Sequence, residues 1–216
     1  VVMERLRGGP LLDHPDAKNH FALAIRVLLS DPFFSEDELG VFHLDPHPGN
    51  LWVTDEGRLA LLDWGSTLSL SKHQRILLTQ AILAAWRGDH QDWQLFAGQL
   101  SGAEVGPCPP AGKLSGLFSP ACWGHRLPPE LVLLRKILFH LEGIEAQIGQ
   151  GDLLRHLFFQ AGARFLSDLP RRFSAPSNWR GFATHLSNLD LLHHAVKSIF
   201  GSSVQDSLEA AEGETS

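Results

Sequence analysis

Pro46 and Pro48 exclude a regular helix from Val41-Phe42-His43-Leu44-Asp45-Pro46-His47-Pro48-Gly49-Asn50, so the polar side chains of that stretch are presented from a loop. A second short run, Leu61-Leu62-Asp63-Trp64-Gly65, follows it. Together they set a His-x-Asp, an Asn five residues after Asp45, and an Asp thirteen residues after Asn50. Asp45 can position or deprotonate a nucleophile. Asn50 and Asp63 can hold Mg²⁺ against the phosphates of a nucleotide, which is what a phosphoryl-transfer site asks of one lobe of a kinase-like fold.

The residues between the two metal-binding candidates predict a hairpin. Leu51-Trp52-Val53-Thr54 is apolar and partly β-branched, Asp55-Glu56-Gly57 is a turn signal, and Arg58-Leu59-Ala60-Leu61-Leu62 returns as a second strand. Folding about Glu56-Gly57 places Asn50 opposite Asp63 at the open end. Strands about 4.8 Å apart let an amide oxygen and a carboxylate there share one hard cation. His43 and His47 are spaced as a helical metal pair would be, but the prolines make zinc a poor reading. His43 is expected to brace the loop by bonding to backbone near Asp63, and His47 to orient the loop or meet phosphate. Cys108, Cys122 and His125 match no strong metal-ligand spacing, and the thiols are read as free.

The segment His43–Asn50 resembles the catalytic loop of the UbiB/aarF (ADCK-type) atypical kinases, in which Asp-Pro-His-Pro-Gly-Asn is a hallmark. Leu61–Gly65 resembles their metal-binding loop, Val1-Val2-Met3-Glu4-Arg5-Leu6-Arg7-Gly8 their interlobe hinge, and Leu134-Arg135-Lys136-Ile137 through Leu141-Glu142-Gly143-Ile144 a later helix. The resemblance implies Asp45 as the catalytic-loop aspartate and Asn50 and Asp63 as metal ligands. It further implies backbone around Glu4 to Leu6 as the adenine-receiving segment, with His43, His47, Gly49 and Gly65 supporting the loops. ATP and Mg²⁺ are the implied cofactors, and isoprenoid-quinone biosynthesis and lipid homeostasis the implied setting, with a quinone precursor or lipid as partner. Trp64 stands where Phe is usual, and Ser66-Thr67-Leu68 replaces the familiar continuation. The nucleotide-covering loop, the phosphate-binding Lys, its Glu partner and the Lys-x-Gly-Gln motif belong upstream of Val1.

The expected fold is therefore mainly α with a small β-hairpin, a protein-kinase-like C-lobe whose N-lobe is absent from this chain. Residues 1–12 are read as the last N-lobe strand and hinge, 13–200 as the helical lobe, and 201–216 as a frayed polar tail. Helical spacing predicts Asp16–Leu29, then a break at Pro32 with a short helix start at Ser35–Glu38. Ser71-Lys72-His73-Gln74 reads as a capping box opening a helix that ends at Arg87-Gly88. Asp89–Leu100, Leu131–Ile148 and Leu153–Leu166 follow as helices, with an irregular insertion at 101–129. A last helix over Asn178–Phe200 is expected to bury Trp179, Phe182, Leu186, Leu189 and Leu192. His193-His194 is read as a surface or partly packed pair.

A net charge of −6 without a basic run argues against nucleic acid as a partner. No signal peptide or apolar run long enough to span a bilayer is visible, and two cysteines suit a reducing compartment, so a cytoplasmic protein, with peripheral membrane contact allowed, is expected. Ser71 comes only six residues after Gly65, which leaves no room for a long activation segment and favours a small-molecule acceptor or simple ATP turnover. Two alternatives stand beside the atypical kinase or ATPase. One is a small-molecule phosphotransferase of the aminoglycoside/choline kinase type, which Pro46 directly after Asp45 disfavours. The other is a pseudokinase-like lipid-handling accessory protein, which the intact Asp45, Asn50 and Asp63 disfavour. Without the upper lobe, this chain alone is expected to be inactive.

Overall fold

Short antiparallel strands frame the loop, and helices bury it from behind. The computed structural model describes residues 6–108, 114–124, 127–149 and 153–198, and the chain divides into two compact units, 1–163 and 164–216.

In the first unit β1 (Gly8–Pro10), β3 (Leu51–Thr54) and β4 (Leu59–Leu61) form one antiparallel sheet in the order β1-β3-β4. A second antiparallel pair joins β2 (Leu39–His43) to β5 (Thr67–Ser71). The single hairpin expected from sequence is thus one part of two small sheets. In β2, Gly40 and Phe42 face the core while Leu39 and Val41 are exposed, the alternation of a half-buried strand. A Cβ on Gly40 would stand 2.3 Å from the Pro32 carbonyl, which explains glycine at that position.

The β3–β4 turn has three residues. Gly57 N–H donates to Thr54 O at 2.8 Å and Gly57 adopts φ 75°, the left-handed residue that closes such loops. The loop is centred on Glu56, so Leu51 pairs with Leu61 and the next partners are Asn50 and Leu62. The expected Asn50–Asp63 pairing is therefore displaced by one residue, with Asp63 lying just beyond Asn50's partner.

The helical run α1 (Ala17–Ile25) continues through a π-helical turn at Arg26–Ser30 into α2 (Asp31–Phe33). It passes Pro32 rather than breaking there. A regular helix would set the Pro32 ring against the carbonyl four residues back, and the wider turn before it relieves that clash. Residues 36–38 are bends, not a helix start. Arg75, fully buried, donates to the carbonyls of Phe33 and Ser35 at 3.2 and 2.6 Å and also to that of Asp37, which satisfies the chain where this helical run ends.

Helix α3 (Lys72–Arg87) opens with the expected capping box: Gln74 N–H donates to Ser71 Oγ, and Ser71 N–H to Gln74 Oε1. It ends at Gly88, φ 69°. Asp89 caps α4 (His90–Ser101), which packs on α3. Among the described residues between Ser101 and Pro129 the chain is irregular apart from a 3₁₀ turn at Leu114–Phe118. That turn is tied to α5 (Pro129–Ile148) by Ser115, whose N–H and hydroxyl donate to the buried Glu142 carboxylate at 2.9 and 2.6 Å. Leu134, Ile137, Leu138, Leu141 and Ile144 of α5 enter the same core as Phe21, Leu28, Leu51, Leu70 and Trp93. Helix α6 spans Leu153–Ser174, longer than expected.

In the second unit the last described helix, α7, occupies 188–198 and does not begin at Asn178. Ser187 and Asp190 form its cap, Asp190 N–H donating to Ser187 Oγ and Ser187 N–H to Asp190 Oδ2. The preceding residues instead wrap the buried Arg172, whose guanidinium donates to Leu186 O and Thr184 Oγ1 and lies 3.9 Å from the Phe182 ring centroid. Phe182 and Leu186 are buried as expected, whereas Trp179, Leu189 and Leu192 are exposed. The expected tail over 201–216 lies outside the described residues. No helix among the described residues is long and apolar enough to cross a membrane.

Candidate phosphoryl-transfer site

Strand β2 delivers His43 at its end, and the chain returns as β3 at Leu51, so residues 44–50 must turn tightly. Pro46 and Pro48 remove two N–H groups from that loop, and the remaining donors are used locally. His47 N–H donates to Asp45 O at 2.8 Å and Asn50 N–H to His47 O at 2.9 Å. Gly49 N–H donates to His47 Nδ1 at 3.0 Å, and a Cβ on Gly49 would come within 2.9 Å of that ring.

Asn50 is buried, and its side-chain amide donates to Asp45 O at 3.0 Å. That bond uses one of the two amide N–H donors and orients the amide oxygen. Leu62 N–H donates to Asn50 O at 2.9 Å, which places Asp63 immediately beyond the residue that Asn50 pairs with. Asp63 adopts φ 53°, a conformation that costs a non-glycine residue about 1 kcal/mol or more, and Gly65 N–H donates to its Oδ1 at 3.3 Å. A Cβ on Gly65 would lie 3.1 Å from the same oxygen.

His43 links the two loops. Only 1% exposed, it donates from Nε2 to Leu62 O at 2.9 Å and accepts Asp45 N–H at Nδ1 at 3.2 Å. The carbonyl partner requires the proton on Nε2. Trp64 packs edge-on against its ring at 4.8 Å, and Leu44 N–H donates to Ser66 O.

The Asp45 carboxylate is partly exposed, with a side-chain accessibility of 41%. Lys136 Nζ and His140 Nδ1 each lie 3.3 Å from its Oδ1, and His47 Nε2 lies 3.9 Å from its Oδ2. Desolvation pushes the Asp45 carboxyl upward, but Lys136 above all, with His140 and His47, outweighs it and holds the group below the ordinary carboxylate range. Desolvation pushes His140 the other way, below the ordinary imidazole range, against the pull of Asp45. Lys136 is thus the standing cation beside Asp45.

Neither Lys136 nor His140 was anticipated as part of the site. The signal was their four-residue spacing on α5, which puts both on one helix face, along the edge of the apolar stripe that draws attention first. Glu4 lies outside the described residues. Leu6 is 38% exposed, and its neighbour Arg7 accepts Asp55 N–H at 3.3 Å, so the chain at Leu6 runs past the turn end of the hairpin. Asn50 and Asp63 sit at the other end. Cys108 and Cys122 are free thiols, and burial raises Cys108 above the ordinary thiol range.

Residues 1–95 match the model of the ABC1 atypical kinase-like domain. Over that stretch the chain is similar to the ABC1 atypical kinase-like family. An uncharacterized protein of Synechocystis sp. is 39% identical over 92 residues, covering 39% of this chain and 22% of the relative. The chloroplastic Protein ACTIVITY OF BC1 COMPLEX KINASE 1 of Arabidopsis thaliana is 33% identical over 78 residues, covering 34% and 11%. A probable protein kinase UbiB of Cellvibrio japonicus is 27% identical over 215 residues, covering 83% of this chain and 38% of its own length. The chain therefore spans well under half of these relatives. No solved structure matches it.

The donor set fits a magnesium ion. A buried amide oxygen, oriented by the bond its nitrogen makes to Asp45, stands near an acidic residue with one carboxylate oxygen that has no described partner. Hard oxygen donors of this kind suit Mg²⁺.

Proposed function

We propose that residues 43–65 are the catalytic-loop and metal-binding part of an ATP- and Mg²⁺-dependent phosphoryl-transfer site, working as an atypical kinase or ATPase. The observation that carries this reading is the backbone linkage of the three polar residues. The Asn50 amide is bonded to the Asp45 carbonyl and the Asn50 carbonyl to the residue before Asp63.

In this reading Asn50 and Asp63 hold Mg²⁺, which when bound neutralises charge on the nucleotide phosphates. Asp45 orients the attacking hydroxyl or water. Its carboxyl is kept ionised by Lys136, so it accepts a hydrogen bond readily but binds a proton weakly, which favours positioning over strong base catalysis. His43 fixes the spacing between the Asp45 loop and the Asp63 loop through its two backbone bonds. The four residues of β3, at about 3.3 Å each, separate Leu6 at the turn end from the metal ligands at the open end, a span that suits an extended nucleotide with its base at one end and its phosphates at the other.

The acceptor is read as a small molecule or water. After Gly65 the chain enters β5 within two residues and α3 at Lys72, so no extended segment is available as a platform for a peptide. The setting the resemblance implies, isoprenoid-quinone biosynthesis, supplies the candidate class, a quinone precursor or lipid at a membrane surface. In the full-length protein, Asp63→Asn should abolish the Mg²⁺-dependent thermal shift that ADP or ATP gives the wild type. An unchanged shift contradicts the role of Asp63.

A further inference from the structure

We propose that Lys136 is a phosphate-contacting residue of this site, delivered by α5 from outside both motif loops to the terminal phosphoryl group. The inference rests on the phosphoryl-transfer reading and adds a residue that neither loop supplies.

Geometry carries it. Lys136 Nζ is 3.3 Å from Asp45 Oδ1, and its side chain is 48% exposed. An ammonium has three N–H donors, and Asp45 is the one described acidic partner of Lys136, so two donors remain for oxygens arriving from solvent. The arrangement is a poor stability device, since an ion pair this open is worth about 0–1 kcal/mol. It is a good electrostatic one. A phosphoryl group brought to Asp45 would meet a carboxylate, and the like charges would repel. A cation bonded to that carboxylate, with donors to spare, offsets the repulsion and turns the same spot into an anion site.

The placement is also rigid. Lys136 is flanked on α5 by Leu134, Ile137 and Leu138, each at most 2% exposed, so the helix cannot rotate the lysine away without unpacking the core. His140, one turn on, lies 3.3 Å from the same Asp45 oxygen, but its Nδ1 makes no hydrogen bond. That leaves Lys136 as the donor beside Asp45.

The test compares Mg²⁺·ATP with Mg²⁺·ADP, because only ATP presents a terminal phosphoryl group to Asp45. Dissociation constants for both are measured by calorimetry on the full-length wild-type protein and on its Lys136→Met, Lys136→Arg and Asp63→Asn variants. Circular dichroism checks that each variant keeps its fold, which the exposure of Lys136 favours. Wild-type protein should prefer ATP over ADP. Lys136→Met should lose about tenfold in ATP affinity, the worth of one charge-assisted hydrogen bond, with ADP affinity unchanged. Lys136→Arg, which keeps the charge, should retain most of the preference, and Asp63→Asn should weaken both nucleotides. Lys136→Met protein that keeps the wild-type preference overturns this inference and leaves the phosphoryl-transfer reading standing. Wild-type protein that binds neither nucleotide overturns the reading and the inference together.

Discussion

Asn50 and Asp45 are joined side chain to backbone: the amide of Asn50 donates to the carbonyl of Asp45 at 3.0 Å, and the same carbonyl accepts His47 N–H at 2.8 Å. One oxygen thus organises the whole loop. Asn50→Ala should lose about 1–2 kcal/mol by urea denaturation, from the missing bond at a buried position. Asn50→Asp should cost more at neutral pH, because a carboxylate oxygen replaces the donor that faces the carbonyl. An Asp variant as stable as wild type would show that the clasp does not form.

Arg75 carries the other large polar commitment of the first unit. Its buried guanidinium serves the carbonyls of Phe33, Ser35 and Asp37, which otherwise face the interior. Burial lowers its pKa from the ordinary arginine value, with Glu38 and Asp37 opposing, yet it stays charged. Arg75→Met keeps the length of the side chain and removes the donors. It should destabilise the protein by about 3 kcal/mol or more, read as a fall in the denaturation midpoint.

Acid should loosen the second unit first at the cap of α7. Desolvation raises Asp190, but the Arg180 guanidinium and the Ser187 N–H and hydroxyl bonds outweigh it and lower the carboxyl from 3.8 to about 2. A group whose pKa is depressed on folding stabilises above its unfolded pKa and loses that contribution as pH falls through its folded value. The window is therefore about pH 4 down to about pH 2, and the contribution is ~2 kcal/mol, with its side chain only 12% exposed. Wild-type amide exchange in α7 should accelerate across that window. In Asp190→Asn the same amides should exchange faster at neutral pH and show a much flatter acid dependence.

Local chemistry explains which features the sequence made legible. The capping box at Ser71, the glycine stop at Gly88 and the turn at Asp55–Gly57 were readable because each is decided within a few residues. The register of the hairpin was off by one because the position of Gly57 as third loop residue, not the midpoint of Asn50 and Asp63, sets the pairing. Pairing of β2 with β5 joins residues 24 to 32 positions apart, and nothing local marks that choice. The stretch 178–187 has apolar residues in a helical rhythm, yet it yields to the long-range demand of Arg172 for carbonyl and hydroxyl partners. Lys136 and His140 were hidden for the same reason: their partner, Asp45, is some ninety residues away in the chain, and only the fold brings them together.

Paramagnetic broadening tests the account most directly. Mn²⁺ takes the same hard oxygen donors as Mg²⁺ and erases nearby NMR signals. Titrated into the protein with ADP present, it should first remove the Asn50 side-chain amide and the Asp63 and Gly65 backbone signals, and Asp63→Asn should restore them. Broadening that spares Asn50 and Asp63, or that persists unchanged in Asp63→Asn, contradicts a metal held between these two residues.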